Sequence, residues 1–351
     1  VAANLRKQNA ASGFAFLDRT SGFDISQKLI AYDNTSTFGR ALLVGLFNTL
    51  LVAVLGIGLA TVLGFLIGLA RLSSNWLIAR LALAYVEIVR NVPLLLQLLF
   101  WYFAALRSLP MPKESLDLGL GVLLNRRGLY LPWPEQTAAL EAIMLAFLAA
   151  LFFTLCLVMV QRRRRLVTGK TFPAGEIGLG LVLALPLLAY LLQSEPLAFA
   201  FPAIGKYNAE GGSVIQPEFA ALLIGLSVYT AAFIAEIVRA GLLGVPTGQR
   251  EAAEALGLSK AQALRLVIIP QALRIIVPPL TNQYLNLTKN SSLAVAIGYP
   301  DLVSVFSGTV LNLTNQAVEV ILITMGVYLT LSLVTSVAMN RFNARLAPQG
   351  P

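Results

Sequence analysis

The chain has 351 residues, of which 57% are hydrophobic and only 12% charged, with a formal net charge of +9, one cysteine and no histidine. A soluble domain of this size carries roughly twice that charged fraction, and here the apolar residues gather into long runs, so the pattern is that of a polytopic membrane protein. Histidine-based acid–base chemistry, Ser-His-Asp triads, His-ligated metals and intramolecular disulfides are excluded, and Cys156 sits in an apolar run as a small core residue. The positive charge lies at loop ends, as an anionic bilayer selects, and no RNA or DNA motif accompanies it, so no nucleic-acid partner is expected.

Residues 1–40 are polar and precede the first apolar run, at about 41–70. In that run Gly56, Ala60, Gly64 and Gly68 recur at every fourth position. They leave one helix face nearly bare, so that another helix can approach closely. A second run, 84–107, contains Glu87 and Arg90 three apart on one face, then Pro93, which is expected to kink the helix, and Gln97. Its aromatic stretch Phe100-Trp101-Tyr102-Phe103 reads as an interfacial belt. Runs at 138–160 and 176–193 follow, the latter short and interrupted by Pro186, and further runs lie at 218–240, 272–290 and 316–340. Most hold the roughly 20 apolar residues that a helix needs to cross the hydrocarbon core.

Short loops rich in Lys and Arg set the orientation. The run Arg162-Arg163-Arg164-Arg165 marks the cytoplasm, and alternation then places 71–83, 241–271 and 341–351 inside, carrying Arg71, Arg80, Arg250, Lys260, Arg265, Arg341 and Arg345. Residues 1–40, 108–137, 194–217 and 291–315 fall outside. A polar segment on the far side that starts at Val1 leads to the expectation of a further transmembrane helix upstream.

The fifth run closes on Glu236-Ile237-Val238-Arg239, which repeats the phrase Glu87-Ile88-Val89-Arg90. A charge in hydrocarbon costs roughly 3 kcal/mol, so each glutamate is expected to meet its arginine or another partner. The two pairs serve either as hinges of an inner gate or as structural pairs at the interface. Between the fifth and sixth runs lies GLLGVPTGQREAAEALGLSKAQALRLVIIP, residues 241–270. Pro246 and Gly248 end one element; Gln249–Leu256 is expected to form a short helix with Ala252, Ala253 and Leu256 on one side. Gly257 suits its C-terminus, and Ser259 can cap a second helix that ends at Pro270. In the sixth run Asn282, Asn286 and Lys289 or Asn290 recur at intervals of three or four, with Ser291 and Ser292 extending the polar character. Such a stripe cannot face lipid. It either lines a translocation pathway, where amides and a lysine suit a zwitterionic solute, or bonds to neighbouring helices. Gln97 is a weaker candidate for the same cavity.

Glu251-Ala252-Ala253, then Gly257, then Val267-Ile268-Ile269-Pro270 resembles the EAA loop of ABC importer permeases. YVEIVRNVPLLLQLLFWYF (85–103) and RIIVPPLTNQYLNLTKNSSL (274–293) resemble core helices of the polar amino-acid branch. Residues 108–217 look like the two-helix insertion of broad-specificity L-amino-acid permeases of proteobacteria. The resemblance implies an all-α type I importer transmembrane domain: a periplasmic segment at 1–40, core helices at 41–107, an insertion at 108–217, and core helices at 218–345. It implies that Glu251, Ala252, Ala253, Leu256, Gly257 and Ser259 meet a nucleotide-binding ATPase subunit, present in two copies. It further implies a second, related permease subunit, a periplasmic amino-acid-binding protein, and the bacterial inner membrane with a cytoplasmic C-terminus. No GxxxxGK[ST] motif is present, so ATP and Mg²⁺ belong to the partner and no cofactor to this chain. Permeases for other small polar solutes carry comparable loops, and an ion-coupled secondary transporter is the alternative of another class.

Overall fold

The structure is a computed structural model that describes residues 13–135, 137–169, 172–193, 197–205 and 209–346. Among the charges that set the sidedness, the side chains of Arg162 and Arg345 lie outside the described residues. Two compact units are present: residues up to Ser108 together with those from Gln216 onward, and Leu109–Ile215. Among the described residues, six helices are long and apolar enough to cross a membrane, and a bent pair supplies a seventh span if counted as one.

The first unit begins with a folded strap. Phe16 is inserted between Phe38 and Phe306, Thr20 bridges to Thr37, and the Tyr32 hydroxyl donates to Ser21 at 2.8 Å. Helix α1 (Phe38–Ala70) starts where the Thr37 hydroxyl accepts the Arg40 amide. Helix α2 (Trp76–Asn91) is capped likewise by Asn75, which accepts from Leu77 and Ile78. The run expected as one span at 84–107 is broken: α3 (Leu94–Leu106) leaves α2 at 106°. Pro93 lacks the N–H that would bond Val89 O, and its ring opposes a continuous helix.

In the second unit, helices α4 (Ala138–Thr168) and α5 (Ala174–Leu191) pack against each other. Thr154 donates to Gly178 O at 3.2 Å, a contact open to it because glycine presents no side chain. Pro186 lies inside α5 without ending it. The strands Leu116–Asp117, Leu123–Asn125, Gly128–Leu131 and Ser213–Ile215 form a small antiparallel sheet.

The first unit resumes with α6 (Pro217–Leu243), its centre: 61% of its apolar window is buried, against at most 33% for any other span. It packs on α1 through the bare face predicted from Gly64 and Gly68. A Cβ on Gly64 would stand 2.5 Å from Ile234 Cγ2, and one on Gly68 would stand 2.8 Å from Ala235 O. The face is therefore filled by a helix of the same chain. A short surface helix, α7 (Thr247–Ala255), precedes the long α8 (Lys260–Ile297). Pro270 was expected to end the second of these, but α8 runs through it. A π turn over Leu264–Ile268, with Ile269 N bonded to Leu264 O, widens the helix ahead of the proline ring. Helices α9 (Val303–Thr314) and α10 (Ala317–Leu346) complete the unit. The amide of Asn48 in α1 donates to Gln27 O and Pro300 O, tying the strap, α1 and the α8–α9 turn together.

Gly58 lies on the same helix as Gly64, but a Cβ placed there would have nothing within 4 Å. Gly64→Leu is expected to destabilise the protein by about 1–3 kcal/mol, whereas Gly58→Leu stays within about 0.5 kcal/mol of wild type. Thermal denaturation in detergent, followed by size-exclusion chromatography, distinguishes them.

Candidate functional site

The surface helix α7 is held at three points. Val245, just before it, is buried in the core with Ile268 and Ala272. Gln271 Nε2 donates to Gln249 Oε1 at 2.9 Å, and Ala253 is 2% exposed. The helix ends in a left-handed cap: Gly257 has φ 78°, Leu258 N donates to Ala253 O, and Gly257 N donates to Glu254 O. Only glycine, and less readily Asn, takes this conformation cheaply. Ser259 and Gln262 then form a capping box that starts α8.

Ala252, Ala253 and Leu256 were expected on one side, but they divide. Ala253 faces inward as the pivot, whereas Glu251 and Ala252 are exposed and Leu256 is 80% exposed at the tip. Behind the tip, Arg250, Glu254, Lys260, Ala263, Leu264 and Ile268 line an open cavity of about 320 Å³. The arrangement is a short helix braced from behind that presents one leucine, a carboxylate and small residues outward. It suits docking by an external protein surface.

The polar residues of α8 separate by face. Asn282, Asn286 and Lys289 are exposed, and no hydrogen bond from their side chains is seen among the described residues; Asn290 is half-buried. Ser291 belongs to the other face: it is fully buried with Leu287 and Thr288, and its hydroxyl donates to Thr288 O at 2.8 Å. Ser292, half-buried, donates to Lys289 O at 2.7 Å. Tyr284, between the two faces, meets the Thr61 hydroxyl of α1 at 2.9 Å. Among the described residues, the amide stripe is thus left open by this chain's helices.

Gln97 has a local task. Its Nε2 donates to Val89 O at 2.8 Å and to Val92 O at 2.9 Å, the carbonyls left open by the break at Pro93. It also lines a largely apolar cavity of about 360 Å³ with Val92, Leu96, Phe100, Trp101 and Val228. Tyr102, read as part of an interfacial belt, is buried and donates to Glu218 Oε1 at 2.7 Å, while Phe100 and Phe103 are exposed.

The two Glu-Ile-Val-Arg phrases behave differently. Glu236 binds Arg239, with Nη2 at 2.6 Å from Oε1, and its other oxygen takes Arg71 from the end of α1. Glu87 and Arg90 form no ion pair with each other among the described residues. Both are exposed, and Arg90 lies over the Phe233 ring at 5.2 Å. Arg71 was missed as a member of this cluster because it stands 165 residues from Glu236; its position at the end of an apolar run was the only signal.

Residues 177–348 match the family described as "Binding-protein-dependent transport system inner membrane component". Over 347 residues the chain is 52% identical to the general L-amino acid transport system permease protein AapQ of Rhizobium johnstonii, covering 99% of this chain and 86% of that protein. It belongs to the ABC importer permease family. Another relative is the glutamate/glutamine/aspartate/asparagine transport system permease protein BztB of Rhodobacter capsulatus, 41% identical over 97% of this chain and 87% of its own length. The fold is similar to that of an amino acid ABC transporter crystallised with histidines, with a TM-score of 0.52 and 22% identity over 88% of this chain and 95% of that one. An ABC permease is a multi-pass transport component of the inner membrane rather than an enzyme, and its ATPase is a separate subunit.

Gln97→Leu is expected to destabilise the permease by about 1–3 kcal/mol, because two carbonyls at the break lose their donor. The loss shrinks in combination with Pro93→Ala, which restores an N–H four residues after Val89. A double-mutant cycle of thermal stability reads the coupling.

Proposed function

We propose that this permease moves L-amino acids, with acidic and amide types among them, from periplasm to cytoplasm by alternating access. Helix α7 acts as the coupling helix that seats in an ATPase subunit. The observation that carries this reading is the α7 tip, where Leu256 is 80% exposed while Ala253 anchors the helix from behind. A leucine presented at the tip of a helix braced from behind, next to the exposed Glu251 and Ala252, supports docking into a groove of a partner subunit. The names of the relatives AapQ and BztB support amino acids as cargo.

The arginines of the short segments, Arg71, Arg80, Arg250, Arg265 and Arg341, support an orientation with α7 and the C-terminus in the cytoplasm and the Gly13–Thr37 strap in the periplasm. Two ATPase copies, carrying ATP and Mg²⁺, drive the cycle, and a periplasmic binding protein delivers the solute. A second, related permease faces this one. The exposed stripe Asn282, Asn286 and Lys289 supports a pathway closed by that partner, with the lysine attracting the solute carboxylate. Arg71, Glu236 and Arg239 bind α1 to the cytoplasmic end of α6 beside the coupling segment, where they gate its movement.

The test is to purify the assembled transporter, identify its subunits, and measure ATP hydrolysis as binding protein loaded with different amino acids is added. Stimulation by acidic and amide amino acids is expected, and its absence with every amino acid would sink the cargo assignment. Gly257→Asp is expected to lower ATP-driven uptake with membrane insertion intact, because it places a side chain and a negative charge at the C-terminal end of α7 beside the docking tip. Glu251→Lys should uncouple hydrolysis from uptake; normal uptake in both variants refutes the coupling role. Asn286→Leu should reduce uptake with all subunits still assembled.

A further inference from the structure

Where α1 ends and α2 begins, Arg71, Leu72, Trp76, Arg80, Leu83 and Arg239 line a cavity of about 230 Å³. Three guanidinium groups meet here, but Glu236 is the carboxylate bonded to two of them, Arg71 and Arg239. Arg80 is exposed, and among the described residues no hydrogen bond or ion pair engages it. The cluster therefore holds two more positive charges than negative ones, beside an indole that is 70% exposed. The amides opening α2 do not account for the cavity, since the Asn75 side-chain carbonyl already accepts from Leu77 and Ile78.

A guanidinium without a carboxylate partner at a membrane surface attracts an anion, and anionic lipid headgroups supply one. The neighbouring wall is apolar: Trp76, Leu77 and Leu81 are each more than half exposed along α2. Guanidiniums in the concavity and an indole with aliphatic side chains at its rim match a phosphodiester that carries acyl chains. Arginine is the residue suited to bidentate phosphate recognition, and tryptophan to the headgroup level. We infer that this cavity binds the phosphate of an anionic phospholipid, with Arg80 and Arg239 donating to it and the acyl chains running past Trp76. The inference rests on the orientation proposed above only in assigning the lipid to the inner leaflet. The bound lipid clasps α1, α2 and α6 where the coupling segment leaves the membrane.

The experiment uses the complete transporter with its ATPase subunits, purified in detergent and titrated with phosphatidylglycerol or phosphatidylcholine under native mass spectrometry. Wild type is compared with Arg80→Ala and Arg80→Lys. Arg80→Ala is expected to weaken phosphatidylglycerol binding about fivefold, the effect of one basic residue near an anionic lipid. Arg80→Lys, which keeps the charge but not the bidentate fork, should fall between the two; phosphatidylcholine should bind all three alike, and thermal stability without added lipid should be unchanged. Equal phosphatidylglycerol retention by Arg80→Ala and wild type overturns the site. Displacement of the lipid by millimolar inorganic phosphate identifies a free-phosphate site and overturns the lipid assignment. Loss of ATPase subunits from Arg80→Ala with lipid retention intact identifies a protein contact and also overturns it. Because lipid is counted without substrate or binding protein, failure here leaves the transport reading standing.

Discussion

In hydrocarbon two helices gain little by hiding apolar side chains from each other, since lipid tails solvate leucine as well as a neighbouring helix does. Close association then depends on how nearly two backbones can approach. In this permease that contact is between α1 and α6, where Gly64 and Gly68 leave no room for even a methyl group against Ile234 and Ala235. With α6 fixed in this way, its other faces receive α3 and α8, and the core from Leu98 through Ile276 forms around it. The small-residue face is consumed inside the subunit, so any association with a second permease uses other surfaces.

A second constraint is that backbone groups in a membrane must find partners within the protein. Several irregular points in the helices meet this locally. Gln97 covers the carbonyls at Pro93, a π turn precedes Pro270, and Gly257 with Ser259 turns the chain between α7 and α8 without leaving a bare helix end. The short helix α7 is held at Val245, Gln249 and Ala253 while its leucine tip points outward.

Charge is handled unequally across the chain. Glu236 is satisfied by two arginines, one from the far end of α1, whereas the Asn282, Asn286 and Lys289 stripe has no counterpart among the described helices of this chain. Polar groups left open on a membrane helix imply water or another subunit, and the ABC permease family supplies a setting for both. The phrase Glu-Ile-Val-Arg illustrates how little four residues specify: one copy makes a salt-bridged cluster, and the other sends its arginine to an aromatic ring.

Features set by neighbours in sequence could be read directly. Apolar run length marks spans, small residues at every fourth position mark a packing face, and the Gly257 and Ser259 signals act within a single turn, because capping involves groups only a few residues apart. The break at Pro93 was visible, but its 106° size was not, since it depends on how α3 lies against α6. The sequence by itself determined a mainly helical membrane protein with a short surface helix between its fifth and sixth spans, and gave no sign of the small antiparallel sheet. Only the tertiary structure decided that Arg71 joins Glu236, that Tyr102 is buried on Glu218, that Ser291 turns inward while Asn286 turns outward, and that Ala253 rather than Leu256 anchors α7. Each of those outcomes is set by which helix lies across from the residue, and pairwise distance in the folded chain bears no relation to distance along it.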